Sequence, residues 1–436
     1  MTCSASMMAQ DNAQEASLGS MSINLPKAIE IALAENPTIK VADKDVQLKK
    51  VADSEAWQAL LPTLDASFNV QNSIKVAAMK TALGEFKMGV DNSVTGIAGA
   101  TLALPVFAPA VYQSMKLSKA DIKLAQEKAR SSRLDLVNQV TKAYYQALLA
   151  KESYAVMEKA YKTSEANYNV VKTKYEVGKV SEYDKISAEV QMRSMNSSLV
   201  STKTGVTLAM LQLKVLMGVT ADVDLVIDDN FKAYENKLVL PSIDANEAEL
   251  QNNSALRQLD LSRTLLERTR KLLYTNFMPT VGLQLTGQYN SYSNSDWNVF
   301  KYKYSPSVTL AIGVSVPLFH ASNFTKLRSN KIQLSQMDDT RLNTQRNLAM
   351  AMESYKQNMA STIAQVESNA EAVKQADKAV AISAKRYEVG RGTILELNQS
   401  ETALTQAELT YVQSIYDYLK NKADLDYTLG RENYQE

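Results

Sequence analysis

Apolar and polar side chains alternate with a period of two in four stretches of the chain, and recur at intervals of three and four almost everywhere else. In the first stretch Leu64, Ala66, Phe68, Val70 and Ile74 alternate with Asp65, Ser67, Asn69, Gln71, Ser73 and Lys75. In the second, Val94, Ala98, Ala100, Leu102, Leu104 and Val106 oppose Thr95, Gly99 and Thr101. The third sets Val281, Leu283, Leu285 and Tyr289 against Gln284, Thr286, Gln288 and Asn290, and the fourth sets Val308, Leu310, Ile312, Val314, Val316 and Leu318 against Ser307, Thr309, Gly313 and Ser315. Period two is the signature of a strand, so these stretches predict two hairpins. Alternating segments of about ten residues suit a strand with lipid on one side and water on the other. A half-buried sheet of a soluble domain alternates too; the polar face here is short, mostly uncharged and rich in Ser, Thr, Asn and Gln, which favours the membrane.

The remainder reads as helix. From Ala108 to Val177 no glycine interrupts and no proline follows Pro109. Val137, Val140, Tyr144, Ala147, Ala150, Tyr154, Met157, Tyr161, Ser164, Tyr168, Val171 and Tyr175 form a heptad seam apart from one skip near Ala147. A helix of that length is about 105 Å long, which suits a long antiparallel coiled coil rather than a globule. Further helices are predicted over Ser181 to Met217 and over Pro26 to Leu60, each about half as long, so that together they match the long one. Tyr154, Tyr161, Tyr168 and Tyr175 are read as packing at helix seams. The fold class is therefore mostly α with a small membrane β part.

The chain repeats itself. Tyr175-Glu-Val-Gly178-Lys-Val-Ser181 returns as Tyr387-Glu-Val-Gly390-Arg-Gly-Thr393, and Leu104-Pro105-Val106-Phe107 aligns with Val316-Pro317-Leu318-Phe319. Leu216-Met217-Gly218 likewise meets Thr428-Leu429-Gly430, and Asn36 meets Asn253. This tandem duplication divides the chain into a lead over 1–22, a first repeat over 23–219, an acidic connector over 220–243 and a second repeat over 244–436. The connector, with Asp222, Asp224, Asp228 and Asp229, is expected to be solvated.

Composition narrows the chemistry. Lys plus Arg number 48 against 47 Asp plus Glu, which leaves no basic excess for nucleic acid. One His and one Cys cannot make a zinc site, a disulfide or a thiol redox pair, so no metal and no cofactor are expected. His320 has no Gly-x-Ser-x-Gly elbow to work with, so no catalytic residue is assigned. Without a Walker or dinucleotide motif, any transport must draw its energy from a partner. No run of 18 apolar residues marks a membrane-crossing helix. Small residues at Ser6 and Ala9 before Gln10 fit the end of a secretory signal as well as an ordinary floppy terminus; the first reading leaves Cys3 removed or inert.

Taken in order and twice over, these features resemble the TolC-type outer-membrane efflux channels, from about Leu25 to Gly430. The most specific are the Val-Gly-x-x-Ser/Thr turns (Val177 to Ser181, Val389 to Thr393), Asn36-Pro37, the strand entries Leu61-Pro62 and Met278-Pro279, and the exits Pro105 and Pro317. The resemblance implies a homotrimer with four strands per chain in one 12-stranded β-barrel in outer-membrane lipid, and a tandem-repeat α-barrel tunnel across the periplasm. It implies docking of a periplasmic adaptor (membrane fusion) protein and an inner-membrane pump of RND or ABC type, in efflux or type I secretion. The turns Val177, Gly178, Lys179, Val180, Ser181 and Val389, Gly390, Arg391, Gly392, Thr393 would be the adaptor-docking tips. Asp184, Tyr387, Arg391 and Glu396 would form a periplasmic gate, with Gly392 where the best-known pattern has arginine and Gln399 in place of a second acid. The alternative is a soluble periplasmic coiled-coil scaffold or adaptor. It leaves unexplained the uninterrupted apolar strand faces and the aromatic cluster Tyr289, Tyr292, Trp297, Tyr302 and Tyr304.

Overall fold

The computed structural model describes residues 21–81, 84–87, 89–235, 238 and 248–432. The expected signal remnant, most of the lead over 1–22 and the later part of the connector lie outside the described residues. In chain order, β1 (Met21–Ile23) precedes the helices α1 (Leu25–Glu35) and α2 (Pro37–Gln58). Then come β2 (Thr63–Ser73), a small hairpin of β3 (Ala78–Thr81) and β4 (Gly84–Lys87), and β5 (Ser93–Phe107). The 68-residue α3 (Pro109–Glu176) and α4 (Glu182–Met217) close the first repeat. After β6 (Leu225–Ile227) and the one-turn α5 (Lys232–Glu235), the order recurs as α6 (Ser254–Thr275), β7 (Thr280–Asn294), β8 (Ser305–Ser315), α7 (Ala321–Glu388) and α8 (Ile394–Leu429). The helix expected from Pro26 to Leu60 is two helices. Asn36 takes φ −63° and ψ 125°, because the ring of Pro37 disfavours the helical conformation in the residue before it.

The chain forms two compact units. One comprises Lys44–Glu127 and Gln258–Arg341. Its sheet has the strand order β2-β5-β7-β8, antiparallel throughout, so the two hairpins join through β5 and β7. The register aligns Leu64, Leu102, Leu285 and Leu310 in one row across all four strands. The neighbouring row, on the opposite face, is Asp65, Thr101, Thr286 and Thr309, with the hydroxyls of Thr101 and Thr286 3.3 Å apart. Along β8, Val308, Leu310, Ile312 and Val314 are all more than 60% exposed, and Leu64 of β2 is 72% exposed, so the apolar face is bare along both edge strands in a single chain. Among the described residues, β2 and β8 have no strand partner on their outer edges. In the helical part, Asn330 Nδ2 donates to the Leu266 carbonyl at 3.1 Å, and Arg263 and Lys49 pair with Asp338 and Asp121.

The other unit comprises Met1–Asp43, Lys128–Arg257 and Leu342–Glu436. Its core is the seam read from the sequence: Val137, Val140, Tyr144, Ala147, Met157, Ser164 and Val171 are buried, while Tyr154, Tyr161, Tyr168 and Tyr175 flank it half-buried. Leu213, Met217, Ile415, Tyr418 and Leu429 from α4 and α8 join the same core. The first part of the connector differs from expectation. Its β6 pairs in parallel with β1, and Leu225, Ile227 and Phe231 are buried, because apolar residues lie between the acids. Asp229 accepts hydrogen bonds from the hydroxyls of Tyr144 at 2.6 Å and Tyr234 at 2.9 Å, while Lys151 Nζ donates to the Ile227 carbonyl at 2.6 Å. Burial first, and then the bond to Asp229, push the Tyr144 phenol well above its ordinary range.

The duplicated asparagines and glycines explain one another. Asn36 Oδ1 accepts from the Thr38 amide while its Nδ2 donates to the Leu216 carbonyl. Gly218, left-handed at φ 70°, ends α4 so close to Glu35 that a Cβ there would lie 2.9 Å from backbone. Asn253 and Gly430 repeat this at the end of α8.

Candidate functional site at the helical tips

Both Val-Gly-x-x-Ser/Thr motifs fold as helix-to-helix turns in the unit that contains Lys128–Arg257 and Leu342–Glu436. At the first, Lys179 N donates to the Lys174 carbonyl at 2.8 Å around Gly178, whose φ is +71°. This six-to-one bond is the Schellman closure, which needs a residue that tolerates the left-handed region. At the second, Arg391 N donates to the Arg386 carbonyl at 2.8 Å around Gly390, at φ +72°. Ser181 and Thr393 then cap α4 and α8, accepting from the amides of Asp184 and Glu396 at 3.1 and 3.2 Å. Val177, Gly178, Lys179, Val389, Gly390 and Arg391 are exposed, and Val180 and Gly392 are partly covered.

The two tips pack on each other. Val171 and Ala188 of the first repeat share a small buried cluster with Ile394 and Leu397 of the second, with Tyr168, Val180 and Tyr387 against it. Polar bonds continue the contact up the helices: Gln191 Nε2 donates to Thr402 Oγ1 at 3.1 Å, and Asn398 Nδ2 to Ser187 Oγ at 3.4 Å. Higher still, Asn167 donates to Glu401, and Lys159 pairs with Glu408 at 2.8 Å. Burial pushes the Glu401 carboxyl up to about 7 against the lowering effect of Asn167.

Of the gate residues named from the resemblance, Tyr387 and Asp184 lie close to each other. Tyr387 lies beneath Lys174, whose Nζ is 4.9 Å from the ring centre, and its buried hydroxyl makes no hydrogen bond among the described residues. Burial and then the charge of Asp184 raise its pKa. Asp184 is engaged locally: its Oδ2 accepts from Ser181 N at 3.1 Å and from Ser181 Oγ at 2.8 Å, a reciprocal capping box. Within the single chain Tyr387 and Asp184 make no hydrogen bond to each other. The Ser181-x-x-Asp184 spacing carries the capping signal.

Glu396 also has an unforeseen neighbour. Arg386 Nη1 lies 3.5 Å from Glu396 Oε2, and Arg386 Nη2 donates to the Arg391 carbonyl at 3.3 Å. Arg391 itself is exposed and makes no ion pair with a described residue. Gly392 permits this arrangement: a Cβ there would lie 3.1 Å from Arg386 Cβ and 3.2 Å from Tyr387 N. Nothing in a single sequence points to Arg386, since the turn alone carries it across five residues to Arg391 and back toward Glu396. Gln399 is exposed. No group of three or more His, Cys, Asp or Glu able to hold a metal occurs among the described residues.

Two stretches of the chain, 28–219 and 246–431, match the family described as outer membrane efflux protein. The alkaline protease secretion protein AprF of Pseudomonas aeruginosa is 24% identical over 422 residues, covering 94% of this chain and 84% of that protein. The outer membrane protein TolC of Salmonella enteritidis is 22% identical over 429 residues, covering 95% and 83%. The crystal structure of the Campylobacter jejuni CmeC outer membrane channel superposes with a TM-score of 0.74 at 16% identity, covering 93% of this chain and 85% of that one. The chain belongs to the outer membrane efflux protein family. Its place is the outer membrane, with its helices on the periplasmic side. Among the described residues no helix is long and apolar enough to cross a membrane.

Proposed function

We propose that three copies of the chain close their four-stranded sheets into one 12-stranded barrel and form the exit duct of a tripartite efflux or secretion system. The bare apolar face and open outer edges of the β2-β5-β7-β8 sheet carry this reading. Lipid tolerates no unpaired strand edge, four strands cannot close, and twelve leave room for a lumen where eight do not. A second unpartnered surface points the same way: Tyr183, Ile186, Val190, Val200, Leu208 and Val215 along α4 are each more than half exposed in the single chain. A neighbouring copy would cover such a face.

In this assembly the Val177–Ser181 and Val389–Thr393 turns face the periplasm and receive an adaptor, which couples the duct to an inner-membrane pump. Asp184, Tyr387 and Glu396 lie at the narrow end, where their state sets how far the duct is open. The chain performs no catalysis in this scheme. Similarity to an alkaline protease secretion protein supports proteins among the exported substrates.

Mass measurement on detergent-solubilised protein tests the assembly, and planar-bilayer recording tests the duct. A trimer with ion-conducting events is expected; a stable monomer, or recovery in a salt-washed soluble fraction, overturns the reading.

A further inference from the structure

The helical ends next to the strands carry a charge pattern that the duct reading leaves unused. Residues 49–58, 109–120, 268–275 and 321–331 contain ten Lys or Arg against two acids. The adjoining stretches farther from the strands, 44–48, 121–127, 258–267 and 332–341, contain four against seven. In a chain with a net charge of +1, this zone therefore carries a local basic excess of eight.

Within that zone each of four helices repeats one arrangement. Trp57 in α2, Tyr112 in α3, Tyr274 in α6 and Phe324 in α7 are 44, 42, 44 and 56% exposed, each within ten residues of a strand. On the side away from the strand, at a spacing of four or seven, stands an exposed base: Lys50, Lys116, Arg270 and Arg328 respectively. These spacings put ring and base on one helix face, about 6–10 Å apart along the axis. In α6 the two touch, with the Arg270 guanidinium 5.9 Å from the Tyr274 ring centre.

An exposed ring is stable where acyl chains give way to headgroups, and a base just beyond it meets the phosphates. We propose that this collar binds anionic phospholipid headgroups of the periplasmic-side leaflet, with the four rings at the headgroup boundary and the four bases on the phosphates. The inference rests on the strands crossing the membrane. It goes beyond generic lipid contact because it requires a negative headgroup and names the side that selects it.

The test uses Trp297→Phe protein, in which Trp57 is the sole tryptophan of the two in the chain. It is reconstituted into phosphatidylcholine vesicles containing a minor fraction of brominated lipid. Brominated phosphatidylglycerol is expected to quench Trp57 at least about twofold more than the same fraction of brominated phosphatidylcholine, and high salt is expected to remove the excess. Adding Lys50→Gln, Lys116→Gln, Arg270→Gln and Arg328→Gln should abolish the preference and leave channel conductance intact. Equal quenching by the two lipids overturns the collar, as does an undiminished preference in the variant. Should that variant fail to fold, Arg328→Glu alone is expected to reduce the preference, and an unchanged preference counts against the proposal. Suppression of the excess by millimolar inorganic phosphate would assign the bases to soluble anions and overturn it too. Absence of quenching by either lipid would instead contradict the membrane placement of the strands.

Discussion

Asn253 is to the second repeat what Asn36 is to the first: each spans the start of one helix and the end of another with a single carboxamide. The distances agree closely, 2.8 Å from Asn253 Nδ2 to the Thr428 carbonyl and 2.7 Å from Asn36 Nδ2 to the Leu216 carbonyl. Both asparagines are buried. Asn253→Ala would strand a buried carbonyl and remove the acceptor of the Ala255 amide, at a cost of about 1–3 kcal/mol. A lowered denaturation midpoint, followed by circular dichroism in detergent, is the expected outcome.

The glycines of the two kinds of turn should respond differently to alanine. At Gly430 a Cβ would lie 2.4 Å from the Asn252 carbonyl oxygen, whereas at Gly178 it would meet nothing within 4 Å. Gly178→Ala then bears only the left-handed penalty of about 1–2 kcal/mol and yields folded protein. Gly430→Ala must displace backbone and should sharply reduce recovery from the membrane. Comparable yields for the two would show that the α8 terminus can shift to make room.

Acid should strengthen the helix contact around Glu401. With a folded-state value of about 7 against an ordinary 4.5, the protonated carboxyl favours the folded form. That contribution is complete below about 4.5 and is lost as pH rises through about 7. Lys159, Asp377 and Glu408 line the same cavity, of about 180 Å³. Glu401→Gln should therefore raise stability by roughly 2–3 kcal/mol above pH about 8 and leave it unchanged below pH about 4. Urea midpoints across that range decide it.

The proposed gate makes separable claims about Tyr387 and Asp184. Tyr387→Phe removes a buried hydroxyl that has no hydrogen-bond partner among the described residues, so stability should change by less than about 1 kcal/mol. Asp184→Ala removes half of a capping box and should cost about 1 kcal/mol. Combined, the two are expected to raise single-channel conductance. An unchanged conductance would assign the entrance to packing or to other residues.

Arg386 offsets the charge of Glu396 in each chain, so the pair should matter for ion selectivity more than for stability. Both side chains are about half exposed, and such ion pairs contribute at most about 1 kcal/mol. Arg386→Gln is expected to increase cation preference and Glu396→Gln to decrease it, with the double variant, which removes both charges, close to the normal chain. Reversal potentials under a salt gradient measure all three. No change in any of them would place Glu396 away from the conducting path.

Much of this was readable because it repeats. The strand faces, the α3 seam and both tip turns follow from periods of two, three and four and from glycine followed by Ser or Thr. The break at Asn36 was visible as an Asn-Pro pair, yet the apolar spacing continued across it and concealed two helices. Asp229 looked solvated because acids dominate its neighbourhood, whereas its tyrosine partners Tyr144 and Tyr234 lie 85 residues before it and five after. Arg386 left no trace, because its reach to Glu396 depends on how tightly the turn at Gly392 closes.

The free edges of β2 and β8 have a genetic consequence. In the proposed ring each chain offers one edge to the next and accepts one from the last, so a chain with a damaged β8 still presents an intact β2. Its neighbours would pair with it, and the closed circuit would then fail at one seam. Lesions that remove pairing capacity from a single edge should therefore be dominant over the normal copy, whereas lesions that stop the chain from folding should be recessive. Expressing a proline substitution in the middle of β8 beside the normal chain would separate the two behaviours.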